Sequence, residues 1–295
     1  MSGDAGPAVA VPPEPIHWSG SAPFLALHAG VIAVFWVGVS PVALATAIGL
    51  YLFRMFAITG FYHRYFSHRT FRAGRSIQFL MALAGTLAVQ RGPLWWAAHH
   101  RYHHRHSDED GDSHSPGRHG FWWSHVGWFL TQSGTPTREH LVRDWVRYPE
   151  LRFLDRYYLV GPILLAPGLL GLGAWLQVAA PRLGTSAAQM FVWGFLVSTV
   201  VLYHATYTIN SLSHQFGSRR FDTGDDSRNN GLLALLTLGE GWHNNHHHYP
   251  GAARQGFYWW EIDLTYYGLK ALAALRVISR LQPVPARVLE RRRLS

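Results

Sequence analysis

Residues 157–179 read YYLVGPILLAPGLLGLGAWLQVA, without one charged side chain. A helix rises about 1.5 Å per residue, so ~20 apolar residues cross the hydrocarbon of a bilayer. This stretch therefore reads as a membrane span. The chain has three more runs of the same kind: Pro23 to Val39, Val42 to Ile58 with Arg54 as its one interruption, and Ala187 to Ile209. The first two meet at Ser40-Pro41, the signature of a tight helical hairpin. The last two form a second hairpin.

Charge placement orients these spans. Arginines crowd the segment between the second and third runs, from Arg64 to Arg156, and the segment after the fourth, from Arg219 onward. The hairpin at Ser40 has no basic residue, and the other outer turn has only Arg182. The excess of basic residues marks the cytoplasmic side. The expectation is an all-α integral membrane protein of four spans, at about 23–39, 42–58, 157–179 and 187–209. Both termini and a helical cap, 59–156 and 210–285, face the cytoplasm, in the inner membrane of a bacterial-type cell. Residues 1–22, rich in Ala, Pro and Gly and lacking the basic start of a secretory signal, read as a flexible tail. Residues 286–295 read as a basic tail, with Arg291, Arg292 and Arg293 suited to anionic lipid. Ile77 to Val89 is too short to span. Tyr258 to Leu281 reads as an amphipathic interfacial helix.

Composition agrees with a membrane. Charged residues make up 15% of the 295-residue chain, against ~25% in a typical soluble domain. The net charge is +9, nearly all from arginine, since Lys270 is the only lysine. No nucleic-acid-binding motif accompanies that charge, so nucleic acid is not the expected partner; anionic headgroups or a phosphate-bearing substrate are. The chain has no cysteine. Disulfides, iron–sulfur clusters and thiolate zinc sites are thereby excluded.

Nineteen histidines remain, and their spacing carries the chemistry. Four segments stand just beyond the apolar runs: HRYFSH at 63–68, HHRYHH at 99–104, NSLSH at 210–214 and HNNHHH at 243–248. His100, His103 and His104 are at i, i+3 and i+4, so one helical face presents three imidazoles. His243, His246 and His247 repeat the pattern. Asn210 and His214 are i, i+4 on the extension of the fourth run. His63 and His68, five apart, stand about 140° round an ideal helix. They are expected to diverge, each toward a different metal. A lone histidine is more often a surface or capping residue, but four such segments at one membrane face are not explained that way.

Nine imidazoles suit two metal ions, with Asn210 as a tenth contact. Imidazole favours Zn, Cu, Fe or Ni over Mg or Ca. A structural zinc needs only four ligands, so two sites of this kind point to redox metal. A metal permease would place ligands within the membrane, whereas these lie outside the apolar runs. Asp108, Asp112 and Glu240 are expected to hold the far ring nitrogens of ligand histidines. Arg69, Arg72, Arg75, Arg101 and Arg105 are expected to grip a phosphate-bearing head group.

At these residues the chain resembles the membrane fatty acyl desaturases, in the branch of the acyl-CoA delta-9 (stearoyl-type) enzymes and their bacterial relatives. The H-x4-H box (His63, His68), the H-x2-H-H box (His100, His103, His104) and a second H-x2-H-H box (His243, His246, His247) carry the resemblance. The flanks GPLWWAAHHRYHH, HSPGRHGFWWSHVGW, NSLSHQFGSRRFDTGDDSRNN and GEGWHNNHHHYP extend it over roughly residues 23–285. Asn245 stands where the animal acyl-CoA enzymes usually carry an aromatic residue. The resemblance implies two iron ions held by the nine histidines, Asn210 in the metal shell, O2 as co-substrate and a narrow kinked tunnel for the acyl chain. The implied activity is O2-dependent insertion of a cis double bond into a saturated acyl chain, with acyl-CoA the expected carrier. Acyl-lipid desaturases and membrane di-iron hydroxylases are the neighbouring alternatives. Without cysteine, dinucleotide fingerprint or fused haem domain, the two electrons per turnover come from a separate carrier: a ferredoxin, a rubredoxin-like protein, a b-type cytochrome or a flavin reductase.

Overall fold

The computed structural model describes residues 14–290 and is mostly helical. Four helices are long and apolar enough to cross a membrane: Trp18–Val37, Pro41–Ser67, Val160–Ala179 and Ala187–His214. The chain is a membrane protein. The first span opens as α1 (Trp18–Gly30) and passes through a 3-10 turn at Val31–Ala33 before ending at Val37. It starts inside the stretch read as a tail, and Ile16 just before it bridges to Thr131; residues 1–13 of that reading lie outside the described residues, as do Arg291, Arg292 and Arg293.

Gly38 (φ 66°) turns the chain, Ser40 Oγ accepts from Ala43 N, and Pro41 opens α2 (Pro41–Phe56). This is the expected hairpin. The helix itself, however, runs past Ile58, the expected end of the span. The helix continues through Ala57–Ser67 as a π-helix and carries His63 with it. The aromatic and polar residues of this extension look like a break in sequence because hydropathy falls there, but every one of them is buried inside the protein.

The cap follows. A short strand β1 (Arg72–Ala73) precedes α3 (Arg75–Thr86) and α4 (Pro93–His106). Gly92 and Pro93 start α4, and its first free amides, Leu94 N and Trp95 N, donate to Asp155 Oδ1 at 2.9 and 2.8 Å. Spans three and four are α5 (Val160–Ala179) and a helix that passes from Ala187–Phe191 through a π turn at Val192–Val197 into α6 (Ser198–Ser211). A Cβ on Gly173 would lie 2.6 Å from Ala187 Cα, so glycine permits this close hairpin.

Beyond the membrane, α7 (His243–His248) carries the last box. The stretch 258–281 is not one interfacial helix. Only α8 (Leu264–Ala274) is helical, and Ile278–Ser279 forms β2, antiparallel to β1 with Arg72 opposite Ser279. The core joins cap and spans: Met55, Ile58, Tyr62, Phe66, Leu94, Trp145, Leu151 and Leu202 are buried in one cluster.

Candidate metal centre

Two groups of imidazoles meet where the second and fourth spans enter the cap. The first contains His63, His68, His100, His104 and His246; the second contains His103, His214, His243 and His247. Within each group the ligand nitrogens all lie within 4.8 Å of one another. These are the nine histidines singled out by spacing.

The division between groups is crosswise. On α4, His100 and His104 (i, i+4) serve the first group, while His103 serves the second. On α7 the order reverses: His243 and His247 (i, i+4) serve the second and His246 the first. Each helix thus presents one face that straddles both groups.

His63 and His68 do not diverge. Both belong to the first group, with rings 5.0 Å apart. An ideal α-helix would separate them by about 140°. Here the backbone is π-helical, and His68 N donates to His63 O, five residues back, at 3.3 Å. A π turn brings residues five apart back toward one face, and such turns cluster at functional sites.

Facing nitrogens lie at contact distance: Nε2 of His63 and His246 at 3.0 Å, of His68 and His100 at 2.7 Å, of His104 and His246 at 2.9 Å, and of His214 and His243 at 3.0 Å. Burial, reinforced by neighbouring histidines, pushes His68, His100, His104, His243 and His246 well below the ordinary imidazole range. Converging neutral imidazoles offer lone pairs to a common centre, as a soft to borderline cation requires. The Nε2 of His247 is buried without a hydrogen-bond partner among the described residues, though its Nδ1 is held by Asp225 at 2.5 Å. The donor set fits two metal ions.

Carboxylates grip the far side of several rings. Asp112 lies 3.1 Å from His103 Nδ1 and Asp108 lies 2.8 Å from His214 Nδ1. Glu240 pairs with His63 Nδ1 and, at 3.1 Å, with Arg64. Burial would raise the Asp108 carboxyl, but His214 and Ser115 outweigh it and bring it down to about 2. Burial of Glu240 is likewise outweighed by His63 and Arg64. Held anionic, each carboxylate fixes the tautomer of its histidine. The sequence pattern missed Asp225, which stands 22 residues before His247 with no helical register to link them. It also missed Gln255, whose Nε2 lies 3.3 Å from His63 Nδ1.

A cavity of about 220 Å³, lined in part by His100, opens beside the first group. His100, His114, Asn210, Gln90, Trp96 and Thr206 line it together with the apolar Phe24, Leu27 and Val89. Asn210 thus lines the same cavity as His100. The Gln90 amide donates to Thr206 Oγ1 at 3.1 Å, tying cap to span.

The arginines read as head-group contacts divide. Arg101 donates to Ser67 O, Phe66 O, Leu141 O and Asp144, so its guanidinium is occupied within the fold. Arg75 is paired with Glu150 at 2.7 Å and Arg69 with Asp144 at 3.4 Å. Arg72 and Arg105 are exposed, with no ion pair among the described residues.

The fatty acid desaturase family model matches residues 21–282. The chain belongs to this family. It is 37% identical over 270 residues to an sn-1 stearoyl-lipid 9-desaturase of Anabaena variabilis, covering 90% of this chain and 94% of that one. An sn-2 palmitoyl-lipid 9-desaturase of Nostoc is 36% identical, covering 81% and 83%. An acyl-CoA 5-desaturase of Anemone leveillei is also 36% identical, covering 81% and 70%.

Proposed function

We propose that this desaturase inserts a cis Δ9 double bond into saturated acyl chains carried on membrane lipid, with two irons held by the nine histidines. One observation carries the reading: a largely apolar cavity is lined both by His100 of the first imidazole group and by residues of the first and fourth spans, with the second group packed against the first. Relatives named for stearoyl-lipid and palmitoyl-lipid 9-desaturation support both bond position and carrier. So does the internal pairing of Arg69, Arg75 and Arg101, which leaves fewer free guanidinium groups for a nucleotide carrier.

When bound, the metal pair would activate O2, the oxidant that removes hydrogen from an unactivated methylene. The balance is one –CH2–CH2– unit, one O2, two electrons and two protons giving –CH=CH– and two waters. The protein's part is to bind and orient. Trp96, Val89, Leu27 and Phe24 exclude water from the chain. Asp108, Asp112, Asp225 and Glu240 hold ligand rings at their Nδ1 atoms. Electrons come from a separate carrier that docks at the cap; the cap's arginines support a cytoplasmic position at the inner membrane.

Exposed Arg72 and Arg105 favour a second reading, in which the chain is presented as acyl-CoA. The test is expression in a host lacking its desaturase, with a pulse of labelled stearate and mass spectrometry of intact lipids and acyl-CoA. Monoene appearing first in glycerolipid supports the lipid reading. First appearance in acyl-CoA replaces it with the second, and absence of any monoene removes both.

A further inference from the structure

Arg54 is fully buried inside the second span. An ionisable residue in a membrane helix is there for a partner or a purpose. Among the described residues no Asp or Glu pairs with it. Its Nε donates to Leu50 O at 3.2 Å, one terminal nitrogen to Thr199 Oγ1 at 2.8 Å and Leu87 O at 3.4 Å, and the other to Ser198 Oγ. The guanidinium therefore wedges between α6 and the residue next after α3.

Leu87 opens the segment that joins α3 to α4. In this segment Val89 (φ 59°) and Arg91 (φ 64°) take the left-handed conformation. For a β-branched residue this is an outlier, kept only where surrounding contacts over-determine it. Those contacts are visible: Arg54 on Leu87 O, the Tyr203 hydroxyl donating to Val89 O at 2.6 Å, and Gln90 donating to Thr206. Val89, Gln90 and Arg91 all line the cavity. Gln90 Oε1 also accepts from Trp96 Nε1 at 3.4 Å, and Trp96 stacks on His100 at 5.2 Å. From Arg54 on Leu87 O, the short backbone stretch to Gln90 and the contacts of Gln90 with Trp96 and of Trp96 with His100 lead to the imidazole cluster, with Val89, Gln90, Trp96 and His100 all lining the cavity.

We infer that Arg54 is a positioning residue for regioselectivity: it fixes the 87–92 segment, against which the acyl chain is registered relative to the metal centre. The inference rests on the reading that this cavity takes the acyl chain. Displacing the wall lets the chain slide by one or more methylenes, so it alters which carbons react more than how fast they react.

The test uses the full chain with R54K, R54Q, R54M and, from the acceptor side, T199V. Products in the desaturase-lacking host are read as dimethyl disulfide adducts by mass spectrometry. In R54Q and R54M the share of positional isomers other than the main one is expected to rise about tenfold, the lower range of one-methylene discrimination in an apolar pocket. R54K should be intermediate. Hydrogen exchange of residues 87–92 in purified protein should quicken in R54M and T199V. An unchanged isomer distribution overturns the proposal, whatever happens to total activity. Where R54M does not accumulate, T199V decides. Should wild type form no monoene, the proposed function falls instead, and unchanged exchange in T199V would then also remove Arg54's hold on the segment.

Discussion

The amide of His68 donates to the carbonyl of His63, five residues back, and that single π-type bond puts both imidazoles beside the same cluster. Their shared site separates them from His103, which the crosswise division assigns to the other cluster.

Metal content should mirror that division. Iron-replete wild type is expected to hold two irons per chain. His63→Ala and His68→Ala should each deplete the same iron, and the double variant should deplete no more than that one. His103→Ala should deplete the other. All three are expected to lose desaturation by about 100-fold or more, beyond the 10–100-fold typical of outer-layer changes, while exposed His140→Ala stays active. Metal analysis with Mössbauer spectroscopy distinguishes the two sites; equal loss of both irons in His63→Ala would contradict the grouping.

Asp225 holds the Nδ1 of His247 at 2.5 Å. Asp225→Asn retains the shape and removes the charge. Iron affinity or activity should fall by about 10–100-fold, the usual cost of losing such a partner. Competition with a chelator measures the affinity directly, and a wild-type value would remove Asp225 from the centre.

Arg101 ties the end of the second span to Leu141 and Asp144. Its replacement by Gln leaves several carbonyls and a carboxylate short of donors, a cost of about 2–4 kcal/mol for a largely buried charged donor. The expected result is a lowered Tm in detergent with KM unchanged in the protein that remains folded. A raised KM at unchanged Tm would return Arg101 to the substrate.

Arg72 and Arg105 are the guanidinium groups left for a phosphate-bearing head. Removing both charges should raise KM by about threefold to tenfold with little change in kcat, the mark of lost uniform binding. The effect should shrink at high salt, because exposed charges are screened. Kinetics at two ionic strengths decide it; an unchanged KM places the head group elsewhere.

Much of this fold is written locally. Apolar runs are properties of consecutive residues, and Ser40-Pro41 marks its own turn. The nine histidines stand out because i, i+3 and i+4 spacing is read directly along a helix. Features that depend on distant chain or unusual backbone are not legible in this way. Nothing in HRYFSH announces that its helix is π rather than α, so an α-helical register puts His63 and His68 on opposing sides. Asp225 reaches His247 through a loop, and no periodicity records that approach. Arg54 is visible as a lone charge in an apolar run, yet its acceptors on Leu87 and Thr199 lie 33 and 145 residues away. Hydropathy also hides the helical extension past Ile58, because residues buried by protein and residues buried by lipid follow different compositional rules.

The crosswise cage has an electrostatic consequence. Neutral imidazoles cancel none of a cation's charge, so two divalent ions would bring four positive charges into a region that excludes water. Asp108, Asp112, Asp225 and Glu240 supply four negative charges one ring-width out, each against the remote nitrogen of a caging histidine. Arg64 and Asp263, 2.9 Å apart, balance each other beside them. The centre is thus arranged in layers, neutral rings within and anions outside, around the space that cations would take. Loading it with metal neutralises an anionic hollow instead of creating a buried excess of charge.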